Sequence, residues 1–281
     1  MKLSKKQITA FQKEIYAWFR IHKRDLPWRP PSLKLRKDKT LNPYRILVSE
    51  MMLQQTQVGR VLPKYELWLK TFPTIESLAA AKSSDVLRVW SGLGYNRRAL
   101  YLQKAAQNII EKHKGKFPKE VSNLKNLPGV GENTAGAVAA FSFNSPAIFI
   151  ETNIRRVFIH TFFKNSDKVS DKEILQLIKQ TIDIKNPRDW YYALMDFGNY
   201  LSRVIENPNR KSRHYARQST FKNSDRYFRG QIVRLLLKAK TYKVSDLEKH
   251  FNLDKTRLEK IIEGLEKDTF IKKIKDKVAL A

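Results

Sequence analysis

The chain contains no cysteine. Disulfides, zinc–thiolate centres and cysteine-held iron–sulfur clusters are therefore outside its chemistry, which fits an intracellular protein. No apolar run reaches the roughly 18 residues that a membrane-spanning helix needs. The first residues, 1–13, carry no stretch of the kind found in a signal peptide. Acidic side chains are scarce: 27 Asp and Glu stand against 55 Lys and Arg, a net charge of +28. Such an excess points to a polyanionic partner, with a merely solubilising basic surface as the weaker alternative. No internal repeat stands out.

What is present is mostly helical. With 281 residues, 42% of them hydrophobic, the chain can bury a sizeable core. The 3.6-residue pattern predicts a helix over 4–22 with Ser4 as its cap, then a basic, proline-broken loop over 31–41. Asn42 and Pro43 open an unusually apolar helix expected to run to about residue 57. Further helices are expected over 62–72, 84–91, 97–113, 119–126, 132–143 and 153–163. Ser170 and Glu173 form a capping box before a helix ending near 184. A last helix, 187–205, closes the main body. A basic, turn-forming stretch over 206–222 reads as a surface loop able to touch phosphate through Arg210, Lys211 and Arg213.

The pattern then changes. Helices over 225–239, 245–250 and 254–267 precede short strands over 269–274 and 278–281. That order is a winged-helix pattern, with Leu247, Phe251, Leu258, Ile261, Ile262 and Leu265 as its core. A module of this size is marginal alone and is expected to pack on the body. Its longest helix mixes charges, so sequence-specific readout is not expected; groove binding and simple bracing both remain open.

Two local features carry chemistry. Leu127-Pro128-Gly129-Val130-Gly131 lies between two helical segments. Its glycines permit close backbone approach, and the first amides of the next helix have no intrahelical partner. Such a hairpin can clamp a DNA phosphate without reading sequence, although an ordinary tight turn would look similar. The second feature is Glu50, set inside Ile46-Leu-Val-Ser-Glu-Met-Met-Leu53. Burial there would raise its pKa and let it deliver a proton near neutral pH, as release of a nucleobase requires. A buried glutamate satisfied by a neighbouring donor is the competing reading. Gln54, Gln55 and Thr56 follow directly. They could fill the space left by an extruded base, or simply form an exposed helix end.

Ser49-Glu-Met-Met-Leu-Gln-Gln-Thr-Gln-Val58 resembles the signature helix of the MutY-type adenine DNA glycosylases of the helix-hairpin-helix (HhH-GPD) superfamily. Leu26-Pro-Trp-Arg29, Gly92-Leu-Gly-Tyr95 and Leu127-Pro-Gly-Val-Gly131 resemble the family's other blocks in the same order, over roughly residues 18–202. The resemblance implies an all-α, two-lobed helix-hairpin-helix glycosylase fold, here followed by the small winged helix. The expected body is 1–205, with a six-helix lobe at about 43–150 and a second lobe from 1–42 plus 151–205. The loop 206–222 and the module 223–281 complete the chain.

The resemblance also implies roles. Glu50 falls on the catalytic glutamate that protonates adenine. Arg24, Trp28, Arg29, Leu53, Asn133 and Tyr192 fall around the base pocket. Gln55 and Tyr95, with Gln54, Thr56 and Leu93 beside them, fall on the segments that wedge into DNA. Pro128, Gly129, Val130 and Gly131 form the phosphate hairpin. Asn153 matches an active-site asparagine. Glu151 stands where the family places an aspartate, and could serve as the second carboxylate or only cap the next helix. Asn133 occupies the slot of the lysine nucleophile in lyase-active relatives, so hydrolysis without strand cleavage is expected.

Departures from the family are the absent cysteines, the winged helix in place of an 8-oxoguanine-reading domain, and Tyr192 where many relatives carry Glu or Gln. The expected function is a monofunctional glycosylase acting on adenine opposite 8-oxoguanine or guanine. It is expected to act as a monomer on double-stranded DNA in the cytoplasm, with no cofactor beyond a monovalent cation at the 127–131 hairpin. The alternatives are a glycosylase of the same fold for hypoxanthine or another mismatched or damaged base, and a non-catalytic binder of distorted DNA.

Overall fold

A computed structural model describes residues 1–29, 40–217 and 220–281. Most of the expected loop over 31–41, and residues 218–219 of the expected loop over 206–222, lie outside the described residues. The chain divides into two compact units, Met1–Met51 with Phe117–Arg217 and Met52–Lys116 with Gln218–Ala281.

The first unit holds α1 (Lys5–His22), most of α2 (Pro43–Leu53), α7 (Val121–Leu124), α8 (Glu132–Phe143), α9 (Thr152–Phe162), α10 (Asp171–Thr181) and α11 (Pro187–Val204). Ser4 caps α1 and Ser170 caps α10, each through a complete capping box. α11 is the centre. Its Trp190 and Tyr191 are fully buried, and Phe11 of α1 meets Trp190 edge-on at 5.5 Å.

This division differs from the expected lobes. The segment after residue 117 stays with α11 because its backbone is tied there. Arg188 donates from Nε to Phe141 O at 2.7 Å and from Nη2 to Ser142 O at 3.0 Å. The Tyr191 hydroxyl donates to Ala147 O at 2.7 Å, and Phe141 stacks on Tyr192. Phe141 O, Ser142 O and Ala147 O thereby each accept a hydrogen bond from a side chain of α11.

The second unit holds α3 (Val58–Thr71), α4 (Ile75–Ala79), α5 (Ser83–Trp90) and α6 (Arg97–His113), together with the C-terminal module. Trp68 and Trp90 meet edge-on at 5.6 Å in its core. The module runs α12 (Asp225–Leu236), β1 (Thr241–Lys243), α13 (Val244–Phe251), α14 (Lys255–Lys267), β2 (Ile271–Ile274) and β3 (Lys277–Leu280). Its antiparallel sheet has the order β1-β3-β2, which completes the winged-helix arrangement. Leu247, Leu258, Ile261, Ile262 and Leu265 are buried as expected, whereas Phe251 is half-buried with its ring edge against Phe228.

Three details depart from the pattern reading. The helix from Pro43 stops at Leu53, not near 57, because Gln55 adopts a left-handed backbone with φ 52° and α3 begins at Val58. α4 and β1 were not expected; they are five and three residues long, below the length at which periodicity speaks. The stretch after α11 is not a plain loop. A short 3-10 turn, Pro208–Lys211, buries Pro208 and Asn209, and Ser212 bridges in parallel to Val169.

Candidate active site

α2 explains the first carboxylate. Ile46, Leu47, Val48, Met51 and Met52 are buried around Glu50, which is itself half-buried. Enclosure by these apolar groups pushes the Glu50 pKa up to about 8; the charge of Glu151 adds to the rise and that of Arg29 opposes it. A carboxyl in this state holds its proton at neutral pH yet keeps part of its surface open.

Glu151 is the N-cap of α9. Its Oε1 accepts from the backbone amides of Asn153 and Ile154, both at 2.8 Å, and its Oε2 accepts from Asn153 Nδ2 at 3.1 Å. Burial raises its pKa on balance, and these amides, Arg156 and Arg155 oppose part of the rise. Capping and chemistry are therefore not exclusive alternatives here: the amides that are capped are also the donors that favour the ionised form. Asn153 passes the network on, since its Oδ1 accepts from Arg156 Nη1 at 2.8 Å, and the same nitrogen reaches Gly198 O at 2.7 Å.

Arg29 and Arg24 converge on Asp196, a buried carboxylate on α11. Arg29 grips it with both terminal nitrogens, at 2.8 and 2.9 Å. Arg24 donates its backbone amide at 2.9 Å and its Nε at 2.7 Å. The Arg29 guanidinium also lies over the Tyr192 ring, 4.4 Å from its centre. The Tyr192 hydroxyl is buried and meets no hydrogen-bond partner among the described residues. Its pKa is raised, first by burial, and it lies in the fields of both Arg29 and Glu50. Trp28 is buried beside this group in sequence.

Glu50, Glu151, Asn153, Arg24, Trp28, Arg29, Asn133 and Tyr192 all belong to the first unit, and electrostatic or hydrogen-bond contacts link Glu50, Glu151, Asn153, Arg29 and Tyr192. Asn133 is exposed, and its Oδ1 accepts from Ile150 N at 3.2 Å. Leu53 ends α2 and falls in the second unit.

The hairpin has the geometry its sequence calls for. Gly129 takes φ 75°, and Val130 N closes the turn onto Leu127 O at 3.1 Å. Gly131 is the N-cap of α8 and makes no side-chain cap hydrogen bond. Val130 itself is buried.

In the second unit, one residue not singled out from sequence ties together the segments at 52–56 and 93–95. Arg98, buried on α6, donates from Nη1 to Met52 O at 3.1 Å and Gln54 O at 2.5 Å. Its Nη2 reaches Thr56 Oγ1 and Gly94 O, both at 3.1 Å. Burial pulls its pKa down to about 10, so it stays charged at neutral pH. Leu93, at 4% exposure, packs its side chain inward. Tyr95 remains exposed. In the 206–217 stretch, Arg210 pairs with Glu206, Lys211 donates to Lys164 O, and Arg213 Nε donates to Lys168 O at 2.5 Å.

Of the two residues missed from sequence, Asp196 could have been found. Asp196 interrupts the apolar string Tyr191-Tyr-Ala-Leu-Met-Asp-Phe197 as Glu50 interrupts its own helix. Arg98 carries no such mark, because α6 is rich in basic residues.

Among the described residues, no group of three or more His, Cys, Asp or Glu side chains could hold a metal ion. Residues 48–182 match the HhH-GPD superfamily base excision DNA repair protein family. The chain is 36% identical over 197 residues to an adenine DNA glycosylase of Rattus norvegicus, covering 68% of this chain and 38% of that one. It thus spans well under half the length of that relative. A thermostable thymine-DNA glycosylase structure superposes with a TM-score of 0.58 at 25% identity, over 69% of this chain and 86% of that chain. A trapped endonuclease III–DNA covalent intermediate gives 0.57 at 20% identity, over 79% and 93%, a likeness of fold. Residues 48–182 thus carry the similarity to the HhH-GPD superfamily of base excision DNA repair proteins, and these glycosylase structures share the fold.

Proposed function

We propose that the protein is a monofunctional DNA glycosylase that hydrolyses the N-glycosidic bond of a flipped, mispaired adenine in double-stranded DNA. The observation that carries this reading is the pair Glu50 and Glu151: one carboxyl held protonated to about pH 8, beside one dressed with amide donors. Two carboxylates in unlike environments are the arrangement that acid-assisted glycosidic cleavage requires. Glu50 delivers its proton to a ring nitrogen of the leaving base. The C1′–N bond breaks with its electron pair passing to the base. Glu151 balances the positive charge that develops on the sugar, and water adds at C1′ with loss of a proton. Asn133 offers no amine, so no imine with the sugar forms and strand cleavage is not expected.

The 127–131 hairpin would hold the DNA backbone, with a monovalent cation there as part of the same reading. Arg210, Lys211 and Arg213 would add phosphate contacts, and the protein would act as a cytoplasmic, nucleoid-associated monomer.

The test is base release from a panel of duplexes, with adenine opposite 8-oxoguanine and opposite guanine, followed by alkali to reveal abasic sites. Glu50→Gln and Glu151→Gln should each lower release by about 10²-fold or more while DNA binding persists. Release from hypoxanthine or mismatched thymine alone would move the substrate class. One observation favours that second reading: the unpartnered Tyr192 hydroxyl gives the pocket a donor whose target a different base could supply.

A further inference from the structure

The winged helix and the Tyr95 turn are physically joined. Arg226, in the first turn of α12, donates from Nη1 to the Tyr95 hydroxyl at 2.9 Å. A second tie lies at the end of α14, where Asp268 accepts from Arg97 of α6 and from Arg229 of α12. α12 is thus anchored to the body of the second unit at both places. Gly264 belongs to this clasp, since a Cβ there would stand 2.4 Å from the Arg229 guanidinium.

The turn these ties reach is built for a fixed shape. Gly92, Gly94 and Tyr95 all have positive φ, at 99°, 73° and 48°. Arg98 binds the turn carbonyls from below, and its guanidinium lies 5.5 Å from the centre of the Tyr95 ring. The ring is 42% exposed. Backbone and ring face are therefore held from the body, and Arg226 takes hold of the ring's outer end.

We propose that Arg226 is a positioning residue that lets the winged-helix module set the angle at which Tyr95 enters DNA. The inference rests on reading Tyr95 as a residue that wedges into the duplex. It gives the module a task that requires no groove readout: holding the wedge in its working pose before DNA arrives, so that ordering the ring costs nothing at the moment of binding.

The experiment uses the full chain and two duplexes, one carrying a tetrahydrofuran abasic-site analogue opposite guanine and one fully matched. The readout is the ratio of their dissociation constants. Loss of a cationic side chain weakens both duplexes alike and leaves the ratio unchanged; loss of wedge positioning lowers it. Arg226→Ala and Tyr95→Phe should each lower the ratio about three- to tenfold, and the double variant should be no worse than the worse single one. Tyr95→Ala should lower it further. If Tyr95→Ala lowers the ratio while Tyr95→Phe and Arg226→Ala leave it intact, Tyr95 is a wedge but the module does not position it, and the inference fails alone. Strictly additive effects overturn it too, because the hydroxyl then acts on DNA directly. An unchanged ratio in Tyr95→Ala overturns the wedge reading and the inference together. Tyr95→Phe removes one surface oxygen, so the comparison survives even if Arg226→Ala folds poorly.

Discussion

The charge on Glu151 raises the cost of ionising Glu50. One carboxylate thus helps keep the other an acid, as the proposed division of base protonation and sugar stabilisation between them requires.

A pH dependence follows from this. The Glu50 pKa rises on folding from an ordinary carboxylate value to about 8, so the folded state keeps a proton that the unfolded chain releases. Folding stability therefore falls as pH rises from about 4.5 through 8. Base release under single-turnover conditions should decline above about pH 8. Glu50→Gln should lessen the stability slope, to which Glu151 and Asp189, also raised by burial, contribute, and should melt above the parent at pH 8.5. A parent protein whose melting temperature is flat across this range would show Glu50 to be solvated.

Asp196 should be intolerant of neutralisation. Asp196→Asn leaves Arg29 and Arg24 facing an uncharged amide in a buried site. Removing one partner of such a cluster costs about 3–5 kcal/mol. Chemical denaturation should report that loss, and because Arg29 also lies over Tyr192, base release should fall further than stability alone explains.

Gly198 lies against the start of α9. A Cβ at this position would stand 2.3 Å from the carbonyl oxygen of Asn153. The obstacle is backbone, so it cannot swing aside. Gly198→Ala should cost about 1–3 kcal/mol. It should also displace Asn153 and with it the donor to Glu151, lowering kcat more than it alters DNA affinity. A thermally normal, fully active Gly198→Ala would mean the two helices part without consequence.

Tyr192→Phe separates packing from recognition. The ring stays stacked on Phe141, while an unsatisfied buried hydroxyl disappears. Stability should rise by up to about 1 kcal/mol. If the hydroxyl bonds the extruded base, kcat/KM on the preferred substrate should drop about tenfold, and the ranking of bases in the panel should change. Unchanged ranking would make Tyr192 a wall and nothing more.

The helices were legible wherever periodicity ran long. α6 and α8 begin and end where their patterns do, and the Ser4 and Ser170 caps were readable from single residues. Glu50 was legible because a carboxylate in an apolar helix is conspicuous. The end of α2 was not, since nothing about Gln55 announces a left-handed backbone in a run of polar residues. Nor was the division into units, which is decided by which carbonyls Arg188 reaches across some 47 positions of sequence. The network at Asp196 failed for a similar reason: its arginines arrive from 172 and 167 residues away.

The stretch after α11 is sewn into the first unit by hydrogen bonds. Asn209 Nδ2 bonds Thr152 O at 3.0 Å, Val169 N bonds Lys211 O at 2.7 Å, and Arg213 N returns to Val169 O at 2.9 Å. Residues 206–217 contain neither cysteine nor methionine, so they present no sulfur for peroxide to attack and oxidative stress leaves these stitches untouched.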